Sequence, residues 1–190
     1  MLMVGPLDFI LRFLADDPQH VEEVEFGVYR YHPHSVIDDR INHRLKLEQL
    51  TPRYKALLGD LRSDEEIAFN SRVWTSGNGS RHVPLVDFAS REQPLVEEAS
   101  VQLIGEYGPR WAALFASGRS YHLYLGALLT RSAWVKFMGH LLLLNQPDGP
   151  ILTDCRWIGH RLMAGYGSLR WSANTEPYAT LGPPVLIREW

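Results

Sequence analysis

The sequence predicts an α+β domain in which a mostly antiparallel sheet is backed by helices, with a small N-terminal α/β lobe. Three observations predict it. Segments with strand-like alternation and segments with helical spacing follow one another along the chain, and no internal repeat is present. Short turns join strand-like pairs, as at Ser76-Gly77-Asn78-Gly79-Ser80 and Ser117-Gly118-Arg119-Ser120. The chain has 190 residues, 45% hydrophobic and 22% charged, which suits one domain or one core with a small lobe packed on it.

Residues 6–15 (PLDFILRFLA) set Leu7, Ile10, Leu11 and Leu14 on one side of a helix. Val21 to Tyr31 alternates apolar and polar residues and reads as a half-exposed strand. The stretch from His32 to Leu61 is mixed and partly helical, punctuated by Pro33 and Pro52. Residues 67–75 read as a strand, and His82 to Phe88 as a short apolar strand carrying an acid at its end. Gln93 to Glu106 turns Leu95, Val96, Ala99, Leu103 and Ile104 toward a core, and Tyr107-Gly108-Pro109 ends that helix. Trp111 to Ala116 and Tyr121 to Leu125 read as two strands, then Ser132 to Leu144 as an apolar helix. Ile151 to Asp154 reads as a short strand, Arg156 to Ala164 as a helix and Gly167 to Trp171 as a last strand. One domain over 1–190 is expected, with an N-terminal lobe at 1–80, a motif-bearing core at 81–176 and an extended tail at 177–190.

Composition narrows the function classes. A net charge of −3 argues against a module that holds nucleic acid by bulk electrostatics, although arginines concentrate late in the chain, at Arg119, Arg131, Arg156, Arg161 and Arg170. The single cysteine, Cys155, excludes an internal disulfide and a cysteine-based zinc site; it reads as buried packing in a reducing compartment. The apolar N-terminus carries Asp8 and Arg12 and lacks a basic start, so it reads as an amphipathic helix and not a signal peptide. A cytoplasmic protein with no membrane partner is expected. His32-Pro33-His34 and His43 invite a transition-metal reading, but no recognised metal spacing accompanies them. His140, inside the apolar helix, reads as a hydrogen-bonded core or interface residue.

Ser117-Gly118-Arg119-Ser120-Tyr121-His122 is the most informative hexapeptide. A glycine at a strand junction lets backbone approach a ligand, and consecutive N–H groups can form an anion-binding nest. Ser117 and Ser120 add hydroxyls, Arg119 adds a guanidinium suited to phosphate, and His122 shares a strand face with Ser120. A tight hairpin with an incidental arginine and a histidine satisfied in the sheet fits the spacing equally well. Asp87 ends one apolar strand and Asp154 another, settings that suit either a metal ligand or a helix cap. Together, with a phosphate loop between them, they could hold one divalent ion against a triphosphate. Arg156 and His160 share a helix face, and Arg170 and Ser172 a strand face, where they would complement phosphate or a nucleic-acid backbone. Arg161 alone reads as part of a solvated basic face.

The order of these features resembles the archaeo-eukaryotic primase superfamily, including its primase–polymerases. Asp87 resembles the first metal-binding acid of that family's motif I, Ser120 and His122 its nucleotide-phosphate motif II, and Asp154 the metal-binding acid of motif III. Leu169-Arg170-Trp171-Ser172 resembles the basic strand that follows. The resemblance covers Val83 to Asn174. It implies an RRM-like antiparallel sheet and a nucleotidyltransferase in DNA replication or repair. Asp87 and Asp154 would be catalytic and bind Mg2+ or Mn2+, and Ser117, Gly118, Arg119, Ser120, His122 and Arg170 would bind an NTP or dNTP. Single-stranded or primed nucleic acid and a protein partner supplying other activities are further expected partners, the latter through the six tryptophans and the proline-rich tail. One position departs: the second acid of motif I falls at Ala89, with Glu92 the nearest substitute. That departure supports the alternative of a degenerate member that binds nucleotide or nucleic acid as a sensor or subunit without polymerising.

Overall fold

The computed structural model describes residues 5–30, 32, 35–77 and 79–190. Helix α1 (Pro6–Ala15) leads into strands β1 (Val21–Arg30) and β2 (Ile41–Lys46). A 3-10 turn precedes α2 (Leu50–Asp60), which is followed by β3 (Glu65–Thr75), β4 (Ser80–His82) and β5 (Leu85–Phe88). Helix α3 (Gln93–Tyr107), the hairpin β6 (Ala112–Ala116) and β7 (Tyr121–Leu125), and α4 (Arg131–Leu143) come next. The chain closes with α5 (Cys155–Ala164), β8 (Ser168–Arg170), the short α6 (Glu176–Ala179) and β9 (Val185–Glu189).

Every strand pair is antiparallel, but the strands divide into two sheets. The first runs β2-β1-β3-β4, and β8 shares the free edge of β3 with β4. The second runs β5-β7-β6-β9. The expected single strand from His82 to Phe88 is where the chain passes between them. Pro84 has no N–H to donate, so the ladder stops there and β5 restarts against β7.

Strands β5, β6 and β7 of the second sheet are buried on both faces, which is why they read as nearly continuous apolar runs, while the edge strand β9 is largely exposed. Leu85, Ala113, Phe115 and Tyr124 join Phe9 and Phe13 of α1 and Phe26, Phe69 and Trp171 of the first sheet in one core. Val86, Phe88, Leu114, Leu123 and Leu125 pack on the other side against Val96 and Leu103 of α3 and Trp134 and Phe137 of α4. The buried side of α1 centres on Phe9, Ile10, Phe13 and Leu14, with Leu7 and Leu11 at its margin. Trp171 ties the sheets together, since it stacks on Phe69 at 5.0 Å and its Nε1 donates to the Tyr124 hydroxyl at 2.9 Å.

Several expectations are corrected. Residues 41–46 form an edge strand, which hid because only Leu45 of the six is buried. Ile151 to Asp154 forms no strand beyond one bridge, Thr153 to Phe88. Cys155 is exposed, not core packing. The tail expected to be extended opens with the helical turn α6 and ends as β9, paired to β6. His140 does find a partner, the Tyr107 hydroxyl at 3.2 Å. Met1 to Val4, Tyr31, Pro33, His34 and Asn78 lie outside the described residues, and with them parts of the readings of the N-terminus, of Val21 to Tyr31, of the stretch from His32 with its His32-Pro33-His34 run, and of the turn at 76–80. Among the described residues, no helix is long and apolar enough to cross a membrane, and no group of three or more His, Cys, Asp or Glu side chains is placed to hold a metal.

Candidate functional site

A cleft of about 540 Å³ opens where the layer between the two sheets runs out of apolar side chains. Strand alternation fixes its floor. Leu85 and Tyr124 face the shared core, so Asp87 and His122, two residues along on each strand, face the same way. They are also directly opposed in the β5–β7 ladder. Both line the cleft, as do Ser117, Arg119, Ser120 and Asp154. Long-range pairing thus brings together the acids and the hexapeptide that lie apart in sequence.

The Asp87–His122 contact is not a salt bridge at neutral pH. His122 Nε2 lies 3.7 Å from Asp87 Oδ1, beyond hydrogen-bond range. Burial, and then the Arg170 guanidinium, hold the imidazole well below its ordinary range, so it is neutral. Burial, and then the neighbouring Asp154, push the Asp87 carboxyl up to about 8, with Arg170 partly opposing them. Yet 24% of the Asp87 side chain remains open to the cleft. His122 Nδ1 is buried without a hydrogen-bond partner.

Asp154 makes the helix cap that its sequence setting allowed, and it also lines the cleft. One oxygen, Oδ1, caps α5 by accepting from the backbone N–H of Arg156 at 2.8 Å and of Trp157 at 3.0 Å. Its own N–H donates to the Asp87 carbonyl at 3.1 Å, which seats the second acid beside the first. Ala89 lines the cleft where a motif I acid would stand, two residues beyond Asp87 on the same face. Glu92 is no substitute: it stands at the N-cap position of α3, makes no capping hydrogen bond there, and does not line the cleft.

The hairpin turn is built and braced from behind. Ser117 N–H closes it on the Ser120 carbonyl at 2.9 Å, so that amide is engaged. Gly118 takes a φ of +100°, a conformation open to glycine. It does not line the cleft; its close neighbour is Leu181 of the tail, whose Cδ1 would lie 3.0 Å from an added Cβ. Arg119 is exposed and makes no hydrogen bond or ion pair with the described residues. Arg170, by contrast, is fully engaged in support. Its Nη2 donates to the Ser117 carbonyl at 2.7 Å, its Nη1 donates to the Ser172 carbonyl, and its guanidinium lies 3.9 Å over the Tyr178 ring. Buried Glu66 anchors the following segment by accepting from Thr175 N–H and Oγ1, both at 2.7 Å.

The other wall of the cleft was not foreseen. Arg161, read as solvated, is buried and donates to Asp38 at 2.6 Å. Arg156 and His160 share a helix face as expected, and both reach the Ser35 carbonyl at 3.0 Å. The spacing of 156, 160 and 161 on one helix was the available signal; the loop it grips lies more than 120 residues earlier.

The two antiparallel sheets, with two acids and a Ser-x-His strand meeting in one cleft between them, define a primase-like α+β domain. The chain belongs to the archaeo-eukaryotic primase 1D-like family, whose family model matches residues 46–182. No curated protein and no solved structure matches the chain significantly.

Proposed function

We propose that the cleft binds a nucleoside triphosphate together with one divalent cation, Mg2+ or Mn2+, and that it does so without a complete polymerase metal site. The observation that carries this reading is the convergence of Asp87, His122, Ser120, Arg119 and Asp154 on one cleft in which the next cleft-facing residue, Ala89, has no carboxylate. Arg119, unpaired and exposed, supplies charge-assisted donors to the phosphates. Ser120 adds a hydroxyl donor, and neutral His122 offers one N–H without adding charge. Arg170 acts through Ser117, as a positioning residue for the turn.

The donor set fits the cation. Two carboxylates of which one is partly engaged in a helix cap suit a hard ion that keeps waters and completes its shell with substrate phosphate oxygens. Asp87 and Asp154 would hold that ion, which when bound would neutralise phosphate charge. Calorimetry with each ribo- and deoxyribonucleoside triphosphate in Mg2+ and in Mn2+ tests the proposal. Binding should weaken by roughly tenfold in Ser120→Ala. No binding in any combination overturns it.

A second reading, active primer synthesis, is favoured by the preserved meeting of Asp87 with Asp154. Mn2+-dependent extension of a primer, lost in Asp154→Ala, would select it over the binding-only reading.

A further inference from the structure

Two surfaces away from the cleft complement each other. The first lies on α4 and α5, outside the second sheet. These helices run antiparallel with matched ends. Arg131 Nη2 comes within 3.8 Å of where a Cβ on Gly165 would stand, and at the other end Asn145 Nδ2 donates to Cys155 Sγ at 3.0 Å. Six of the fourteen large apolar side chains exposed among the described residues gather here: Val135, Leu142, Leu143, Ile151, Leu162 and Met163. Leu143 and Met163 are 77% and 80% exposed. Apolar side chains scattered singly over a surface are ordinary, but a cluster of this kind marks a contact surface. Neither helix contains an Asp or a Glu, and Arg131 and Lys136 stand exposed on α4.

The second surface is a groove of about 830 Å³ where the end of α1 meets the start of β1 and the end of β2. Buried Val21 and half-buried Leu11 and Leu47 give it an apolar floor. Glu22, Glu23 and Glu48 rim it, against Lys46. Arg44 engages Glu23, whereas Glu22 and Glu48 are exposed and make no hydrogen bond or ion pair with the described residues. An apolar patch that carries only cations thus has its counterpart in an apolar groove whose charge is mainly negative. Patch against patch would set Arg131 and Lys136 of two copies against each other, and groove against groove would oppose carboxylates. Like charges across a contact disfavour both arrangements, and patch into groove incurs neither.

We propose that a second copy of this chain docks its α4–α5 patch into the groove beside α1. The two surfaces share no residue, so a copy that offers its patch keeps its groove for the next one. Such a head-to-tail contact builds a closed ring or an open filament, according to the rotation between copies. None of the residues named on either surface lines the cleft between the sheets, so the contact is independent of what that cleft binds.

The test is sedimentation velocity of the full chain at concentrations up to about 1 mM, with Met163→Glu on the patch and Glu48→Lys at the groove rim. Both side chains are exposed, and circular dichroism melts establish that each variant is folded. The unsubstituted chain should form species larger than a dimer as its concentration rises, and raised salt should weaken them. Each variant alone should associate about tenfold more weakly or worse. Mixed in equal amounts, the two variants should form a one-to-one dimer that grows no further, because the intact patch of one meets the intact groove of the other. An unsubstituted chain that stays monomeric overturns the proposal, even if it binds anionic phosphatidylserine vesicles through the α4–α5 patch. So does association that stops at a dimer and survives Glu48→Lys, the behaviour of a two-fold contact through one face. A mixture of folded variants no more associated than either alone also overturns it. If either variant fails to fold, Leu143→Glu or Glu22→Lys takes its place.

Discussion

Replacing Asp87 by Asn in metal-free protein should raise stability at alkaline pH and do little at acid pH. The folded protein holds the Asp87 carboxyl near 8, against about 3.8 ordinarily, chiefly through burial and the adjacent Asp154. Between those values the unfolded chain has released the proton and the folded chain retains it, so stability falls as pH rises through this window and then levels off. At about 1.4 kcal/mol per pH unit the whole window caps the loss at roughly 6 kcal/mol. With 24% of the side chain open to the cleft, water screens the charge, and about 2 kcal/mol is a realistic share. For a domain of this size that corresponds to about 4–8 °C in Tm. Buried His122 and His82, both held below their ordinary range, act in the opposite direction, costing stability as pH falls below about 6.5. Comparing the Asp87→Asn variant with the unsubstituted chain cancels those contributions to first order. Thermal melts in EDTA from about pH 5 to about pH 9 should therefore show a Tm difference that grows with pH and then plateaus. A difference independent of pH, or an Asp87→Asn variant that is the less stable protein at alkaline pH, would show that the folded protein does not retain the Asp87 proton in this way.

Two further substitutions probe the same site. Ala89 is exposed and faces the cleft, so Ala89→Asp has room for the missing acid; it should raise Mn2+-dependent primer extension by about tenfold or more over the parent, and equal product from both proteins would show that this carboxylate is not what limits synthesis. Gly118→Ala should cost about 1–2 kcal/mol, because φ is +100° and Leu181 Cδ1 lies 3.0 Å from the new Cβ. Gly139→Ala, in the middle of α4 with nothing within 4 Å, should instead stabilise by up to about 1 kcal/mol, and denaturant melts giving both variants the same sign would contradict this account of the turn.

Local pattern made most strands and the long helices legible: β1, β3, β6, β7, β8, α1, α3, α4 and α5 lie close to where spacing puts them. Tertiary context decided the rest. Edge strand β2 buries one side chain, which leaves no period to read. The two-sheet division turns on a single proline, Pro84, inside a run that is apolar throughout because both faces are covered. At the site, strand parity was enough to set His122 on one face with Ser120, whereas the place of Asp87 opposite His122 comes from the β5–β7 pairing. Parity says nothing about which groups are already engaged. That Arg170 braces Ser117, and that Arg161 is buried against Asp38, are contacts spanning 53 and 123 residues that no local pattern encodes. Asp154 was legible as either a cap or a ligand, and the cap is made through Oδ1 alone.

β9 has a consequence for the solution behaviour of the chain. It follows the segment matched by the family model, and it covers the outer edge of β6, with the last residue, Trp190, exchanging both backbone hydrogen bonds with Ala112. Beneath it, Ala112–Ala116 is an apolar five-residue stretch with buried side chains. Stripped of β9, that stretch would offer unpaired N–H and C=O groups along an apolar edge, a template for copies to add strand to strand. A chain ending at residue 182, where the family match ends, would therefore be prone to self-association, whatever its nucleotide chemistry. The closing residues act as an edge guard for the sheet that carries Asp87 and His122.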